Sequence, residues 1–365
     1  CFIKSIPFCK PEHPRKNPSF IMSSNSVAYL TAPGAPLIIK EASIPEPAAD
    51  EIIVENKAVA INPIDFIIAK SGFFVQKFPV ILGLDSAGVV VATGTEAAKT
   101  FTKGDRVLAL TESIFSPNQD KGGFQKYSAV RTLTTSKIPD DVSFVEGSTF
   151  PLGIFTAAIG LFIQDNLALD FPQVPKKGEN GKTVLIWGGA SSVGANAIQL
   201  AVAAGYRVVA TASEKNFELV RKLGATEVLD YRKDSIVDDA TKVLANTDFV
   251  GTFLAAANGD SFSQAADITQ AVNEKAQLVS APLYPKDFKP KVKSSWTNLS
   301  IANYPEETRK LASHIFGEFL PRALEEKAFS IVPAPRVLGK GLEKLQEGLQ
   351  IMAAGVSAEK LVVEL

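Results

Sequence analysis

The chain is 365 residues long, 46% apolar and 21% charged, with a formal net charge of −1; this is the composition of a globular protein too long for one ordinary core, and it suggests two domains. A balance so near neutrality gives no basic field for nucleic acid or an anionic membrane, and no apolar run approaches the roughly 20 residues that span a bilayer. The only cysteines are Cys1 and Cys9, and the only histidines are His13 and His314. Beyond the N-terminal stretch a Cys/His metal site cannot be assembled, so no metal is expected. His314 lies in a charged, helical-looking segment and reads as a surface residue, which nearly excludes a Ser-His-Asp triad. The absence of a disulfide framework fits a reducing compartment, the cytoplasm.

In chain order, residues 1–21 mix Pro, Lys and Arg without a period. They read as a disordered extension or translated upstream sequence, with Met22 looking like an ordinary start. Lys4, Lys10, Arg15 and Lys16 keep a targeting peptide open, and Pro7, Pro11 and Pro14 argue against one. From residue 27 to about 150 the rhythm is mostly β: short apolar runs at 37–39, 52–54, 58–61, 88–91 and 106–110 alternate with Gly, Pro and Asp turns. Asn62-Pro63 stops a strand and opens a short helical segment. A further strand is predicted over 125–130, a buried connecting helix over 151–163 and a loop over 172–182.

Residues 183–213 organise the rest. The apolar run 183–187 has the length of a buried parallel strand, and Gly188 and Gly189 permit a turn that a side chain would forbid. From Val193 to Ala204 apolar residues recur at helical spacing, Gly205 ends the helix, and 208–212 is a second strand. Such a strand–turn–helix–strand unit rests a pyrophosphate on the free N–H groups at the helix start. The turn lacks the strict G-x-G-x-x-G, with Ser191 and Ser192 in its middle; small serines still admit a phosphate, and each adds a hydroxyl donor. On its own the turn is equally that of any α/β domain.

The second strand ends in Ala212-Ser213, followed by Glu214, Lys215 and Asn216, where an NAD site usually has Asp or Glu on the ribose. The next strand, 227–230, runs into Tyr231-Arg232. Ser213, Lys215, Tyr231 and Arg232 as a set favour NADPH over NADH, with Glu214 dissenting. Helix and strand then alternate (235–245, 249–254, 261–272, 277–281), which implies a parallel sheet with right-handed crossovers. Residues 282–305 read as a long loop, 306–327 and 338–354 as helices, and 360–365 as a closing strand.

The motifs AINPID (60–65), GLDSAGVV (83–90), FTKGDRV (101–107), GGFQKY (122–127), WGGASSVG (187–194), KLGATEVLDYR (222–232) and AEKLVVEL (358–365) run in order across the chain. With them the chain from 22 to 365 resembles the medium-chain dehydrogenase/reductase superfamily, in its zinc-independent quinone-reductase and enoyl-reductase branch, closest to fungal trans-acting enoyl reductases. The resemblance implies an α/β protein in which a mostly β, GroES-like catalytic domain (22–155 and 305–365) flanks a Rossmann-type, doubly wound parallel-sheet domain (156–304). It places NADPH in the cleft between them. Gly189, Ala190, Ser191, Ser192 and Val193 would meet the pyrophosphate, and Ser213, Glu214, Lys215, Asn216 and Tyr231 the adenosine end. Ile64, Asp65 and Ile67 of the 62–67 loop, Pro282 and Leu283 after the 277–281 strand, and Ser357-Ala358 would lie towards the nicotinamide, as would Thr156. Zinc-dependent relatives place Cys, and His-Glu after a Gly, where this chain has Asn62 and Leu84-Asp85. Fungal enoyl reductases often carry Lys at the Ile67 position, a departure that leaves the substrate open.

Without zinc, Lewis-acid polarisation of an alcohol or carbonyl is not available, but NADPH can still deliver hydride to the β-carbon of an α,β-unsaturated carbonyl if the developing enolate oxygen is hydrogen-bonded. Asn62 and Thr156 are the candidate polar groups, Asn62 being equally a turn residue, and Asp65 reads as a brace for its segment. The substrate expected is a small-molecule enone, enoyl thioester or quinone. A quinone or aldehyde reductase of broad range, and a cofactor-binding subunit of a synthase partner with little turnover, stay open. Neither nucleic acid nor membrane is expected as a partner.

Overall fold

A computed structural model describes residues 24–113, 115–116, 120–297, 299 and 305–365. Cys1, Cys9, His13 and Met22, with the readings placed on the first 21 residues, lie outside the described residues.

The first half is β-rich. β1 (Asn25–Leu30), β2 (Ile38–Ala42), β3 (Glu51–Ile61), α1 (Pro63–Ser71), β4 (Val80–Ile81), β5 (Asp85–Thr93), β6 (Arg106–Leu110), β7 (Tyr127–Arg131) and β8 (Thr135–Lys137) follow one another. The apolar runs at 52–54 and 58–61 are one strand, not two. A register shift beside Asn56 absorbs the polar interruption, and the buried Asn56 amide donates to Gln125 O and Ser128 Oγ, both at 2.8 Å. Burying a side-chain amide inside a strand is tolerable because its hydrogens find acceptors.

α2 (Phe144–Gly147) and α3 (Pro151–Phe162) lead into the second half, and every residue of α3 is buried. Together they form a 19-residue helical stretch, Phe144–Phe162, long and apolar enough to cross a membrane, where the sequence pattern predicted none. In this fold 83% of its apolar window is packed inside, so it serves as a core helix. The largest apolar cluster runs from Leu84 and Leu108 through α3 to Val184, Ile198 and Val208. A boundary drawn between residues 155 and 156 therefore falls within one continuous helix.

β9 (Lys182–Trp187), α4 (Ser192–Ala203), β10 (Arg207–Ala212), α5 (Phe217–Lys222), β11 (Glu227–Asp230), α6 (Ile236–Leu244), β12 (Asp248–Leu254), α7 (Ser261–Val272), β13 (Gln277–Ser280) and β14 (Lys293–Trp296) build an all-parallel sheet of order β11-β10-β9-β12-β13-β14. This is the doubly wound order of a Rossmann fold. β14 lies inside 282–305, predicted as loop. As the sheet's edge it is largely exposed and carries the polar run Lys293-Ser294-Ser295, so it has no apolar pattern to read.

The chain then returns through α8 (Glu306–Ala312), a π-helical turn (Ser313–Phe319) and α9 (Leu320–Glu325) to β15 (Ala334–Lys340), α10 (Lys344–Ala354) and β16 (Glu359–Glu364). The helix predicted from 338 starts only at Lys344, because Gly341 N–H still donates to Glu364 O in the sheet. β16 pairs antiparallel with β3, Leu361 opposite Ile61, so both chain ends build one sheet of order β15-β16-β3-β5-β6-β8.

Candidate active site

The sheet order reverses between β9 and β12, the place where open α/β sheets bind ligands beyond their strand ends. A cleft of about 290 Å³ opens there. It is lined from the β9 turn by Trp187, Gly188, Ala190 and Ser191, from the end of β10 by Ala212, Ser213 and Asn216, and by Tyr231 after β11. Ala256, Ala257 and Asn258 follow β12, and Val356, Ser357 and Ala358 reach in ahead of β16.

The turn between β9 and α4 is tight. Gly188 holds φ at 83°, and Gly194 packs so closely that a Cβ on it would lie 2.2 Å from Gly188 O. The Ser191 hydroxyl donates to Gly188 O at 2.8 Å and accepts the Gly194 N–H at 3.0 Å. Helix geometry leaves the N–H groups of Ser192 and Val193 without intrahelical partners, at the positive end of the helix dipole. These groups fit a pyrophosphate. The Ser192 hydroxyl does not join them, contrary to the expectation of two hydroxyl donors. It is buried without a hydrogen-bond partner and faces Gly153 of α3, where a Cβ would lie 2.7 Å from it. Gly189 also stays out of the cleft, packed against Ile198, Ala210 and Val220.

At the adenosine end Asn216 Nδ2 donates to Ser213 Oγ at 3.1 Å, and the Tyr231 ring lies 6.5 Å from that of Trp187. Arg232 forks onto Asp230, with Nε 2.9 Å from Oδ1 and Nη2 2.7 Å from Oδ2. That pairing holds the Asp230 carboxyl below its ordinary range. The guanidinium offered as a phosphate ligand is thus engaged elsewhere, and no carboxylate lines the cleft. Glu214 and Lys215 are exposed beside the cleft rather than in its lining. Pro282 and Leu283 also stay outside it: Ser280 Oγ donates to Pro282 O at 2.6 Å, and Leu283 is 45% exposed.

Two residues beyond Ala358 begins a buried polar cluster. Asn62 stands between β3 and α1, Asp85 begins β5 and Lys360 lies on β16, and all three are buried. Lys360 Nζ is 2.7 Å from Asp85 Oδ2 and donates to Asn62 Oδ1, while Asn62 Nδ2 donates to Asp85 Oδ2 at 2.8 Å. The Leu152 N–H, in the first turn of α3, donates to Asp85 Oδ1 at 2.6 Å. Nearby, Asp65 accepts the Asn62 N–H at 2.8 Å and the Gly83 N–H at 3.2 Å. Burial, helped by the Asp85 charge, pushes its carboxyl up to about 7 against the pull of those N–H groups and Lys360. Asp65 is wholly buried with both oxygens committed, so it braces the loop and lies outside the lining of the cleft. Ile64 is half-buried and Ile67 exposed on α1, and Thr156 is buried in α3; none of the three, nor the buried Asn62, lines the cleft.

The donor set does not suit a metal. An ammonium already occupies the Asp85–Asn62 pair, and among the described residues no group of three or more His, Cys, Asp and Glu could hold an ion.

Sequence reasoning had no role for Ala256–Asn258, although the switch-point rule makes the segment after the fourth strand as probable a wall as the one after the first. Lys360 was equally missed. A lysine at the head of the run Leu361–Val363 was its only signal.

Residues 48–140 match the alcohol dehydrogenase GroES-like domain and residues 192–293 the zinc-binding dehydrogenase family. The chain is similar to the dehydrogenase pigH of Monascus ruber, 38% identical across 94% of this chain and all of that one. It is also similar to the trans-enoyl reductase himH of Aspergillus japonicus, 34% identical across 86% of this chain and 90% of that one. Among solved structures, a mycobacterial protein complexed with NADPH superposes with a TM-score of 0.68 at 22% identity, covering 94% of this chain and all of that one.

Proposed function

The chain belongs to the medium-chain dehydrogenase/reductase superfamily of oxidoreductases, whose members use NAD(P)H, and from that premise we propose that it is an NADPH-dependent, zinc-independent reductase of the carbon–carbon double bond in α,β-unsaturated carbonyl compounds. The observation that supports this reading is the buried Asn62–Asp85–Lys360 cluster, which begins two residues along the chain from Ala358 of the cleft wall and whose amide and ammonium donors suit the polarising of a carbonyl. The relative named a trans-enoyl reductase supports the same reaction class.

Bound NADPH supplies a hydride, and the reduction is completed by one proton from solvent or a hydroxyl. The chain's residues do the rest. The N–H groups at the start of α4 hold the pyrophosphate, and the neutral lining residues Ala212, Ser213, Asn216 and Tyr231 accept a 2′-phosphate that a carboxylate would repel. Asn62 has its oxygen committed to Lys360 and one amide hydrogen to Asp85, which leaves one hydrogen for the oxygen of an enolate.

Steady-state oxidation of NADPH against enones, enoyl thioesters and quinones tests this. Turnover of enones or thioesters, undiminished by chelator, is the expected result. Turnover of quinones alone would make it a broad-range reductase instead, and binding without turnover a cofactor-binding subunit.

A further inference from the structure

Asn62 sits where a carboxamide can face either way, its two ends being nearly equal in size. Its neighbours are not equal. Asp85 presents a carboxylate to one end and Lys360 an ammonium to the other, and all three side chains are buried. Turned over, the amide would press its NH₂ on the ammonium and its C=O on the carboxylate, exchanging two charge-assisted hydrogen bonds for two repulsions in a medium that screens little. We propose that the Lys360–Asp85 ion pair is a positioning device that locks the Asn62 carboxamide with its oxygen on the ammonium, so that the group it has left to offer a substrate is an N–H and not its oxygen.

The geometry around the pair fits this role. Asp85 is itself held by the Leu152 N–H at 2.6 Å, at the start of the buried helix α3. Lys360 is set by the pairing of β16 with β3, which places Leu361 opposite Ile61. The Asn62 backbone N–H is fixed separately, by Asp65 at 2.8 Å. Three different elements thus hold the three partners, and the Lys360 ammonium is bonded to Asp85 and Asn62.

The inference rests on the double-bond reductase reading, and its test separates the two. Asn62→Leu should lower kcat by about a hundredfold, the usual effect of losing one oxyanion donor, with NADPH affinity within twofold of the wild type. Lys360→Met should lower kcat by roughly tenfold, and in the Asn62→Leu background it should have no further effect. Lys360→Arg, which keeps the charge and spares the fold a lone buried carboxylate, should give the same non-additivity with a smaller drop. Independent effects of Lys360 and Asn62, or a parallel loss of NADPH affinity, would overturn the positioning role. A readout apart from activity comes from protein labelled with ¹⁵N-asparagine. The Asn62 side-chain amide, identified by its loss in Asn62→Leu, should exchange slowly with solvent in the wild type and markedly faster in Lys360→Arg. Equal exchange would count against the lock even if the enzyme turned over none of the acceptors, whereas slow exchange without turnover would leave the lock standing and remove the reductase reading.

Discussion

Around the cleft, the lining groups are backbone and small neutral side chains contributed by strand ends: Gly188, Ala190, Ser191, Ser213, Ala256. Around Asn62 stand two carboxylates, an ammonium and a carboxamide, all buried: Asp85, Lys360 and the Asn62 side chain are bonded to one another, and Asp65 holds the Asn62 backbone N–H. The first region offers shape and helix-end polarity. The second holds charge away from water, where each group is stable only through its partners. Ala358, at a left-handed φ of 55°, lies on the turn into β16 that joins the two. On the proposed function binding belongs to the first region and polarisation to the second, so substitutions should sort into those that unfold, those that misplace, and those that only weaken the cofactor.

The sharpest break is Asp85→Leu. It removes the acceptor for Lys360, Asn62 and the Leu152 N–H together and leaves an ammonium in the core. Breaking one side of a buried pair typically destabilises by about 3–5 kcal/mol, and urea unfolding should show a loss of that size. A loss well under about 1 kcal/mol would mean that water reaches Lys360 and that the cluster is not dry.

Asp65 gives the next effect, through pH. Its carboxyl ionises near 3.8 in an unconstrained chain and is pushed up to about 7 by burial in the fold. Between those values the native protein holds one proton more than the unfolded chain, so stability falls as pH rises and the full penalty is reached above about pH 7. By linkage this is on the order of 4 kcal/mol. Asp65→Asn sets an amide against a backbone N–H at a constant cost but carries no titrating proton. The stability difference between wild type and variant should therefore shift steadily in the variant's favour from pH 4 to 8. A difference independent of pH would show that Asp65 ionises normally.

The same contrast explains what the sequence made legible. The nucleotide half is written locally: a strand, a tight turn, a helix and a second strand within residues 183–213, each marked by periodicity or glycine. Its sixth strand escaped because β14 is a polar edge with little to bury, and the end of the mostly exposed β15, residues 338–340, falls in the helix predicted over 338–354 for the same reason. The cluster is written across the chain. Lys360 and Asn62 stand 298 positions apart and meet only because β16 pairs with β3, a register that no local pattern states. Asn62 was legible as a candidate from its turn and its place in AINPID, yet what orients it was not. The two serines of the turn show the opposite limit: both were visible, but which hydroxyl faces α3 depends on how closely Gly153 lets the helices approach.

On the cleft side, Gly194→Ala probes the turn itself. The new Cβ would sit 2.2 Å from Gly188 O, a backbone atom that cannot swing aside. Overpacking of this kind typically destabilises by about 1–3 kcal/mol. Here it should also tilt the first turn of α4 away from β9. Cofactor titration should show weaker binding of NADPH and NADH alike, since both share the pyrophosphate. A stable variant with unchanged affinity would mean that the phosphate is held elsewhere.

The smallest effect, and the finest discrimination, concerns the 2′-phosphate. Two cations were candidates to hold it. Arg232 is forked on Asp230 through Nε and Nη2, and a phosphate would have to compete with a carboxylate already in place. Lys215 is exposed beside Ser213 and Asn216 and makes no ion pair among the described residues. Lys215 is therefore the cation free to turn onto a phosphate seated between Ser213 and Tyr231. A charge-assisted hydrogen bond contributes roughly 1.5–3 kcal/mol, and an exposed lysine belongs at the lower end, about tenfold in affinity. Lys215→Ala should weaken NADPH by that factor and leave NADH unchanged, Tyr231→Phe should act in the same direction but less, and Arg232→Ala should change neither. The measurement is cofactor titration by fluorescence at fixed salt, because an exposed charge is screened by ions. If Lys215→Ala weakens both cofactors alike, the lysine steadies the β10 end rather than the phosphate. If Arg232→Ala is the variant that loses NADPH, the Asp230 fork opens on binding and the neutral wall of the cleft is not what selects the cofactor.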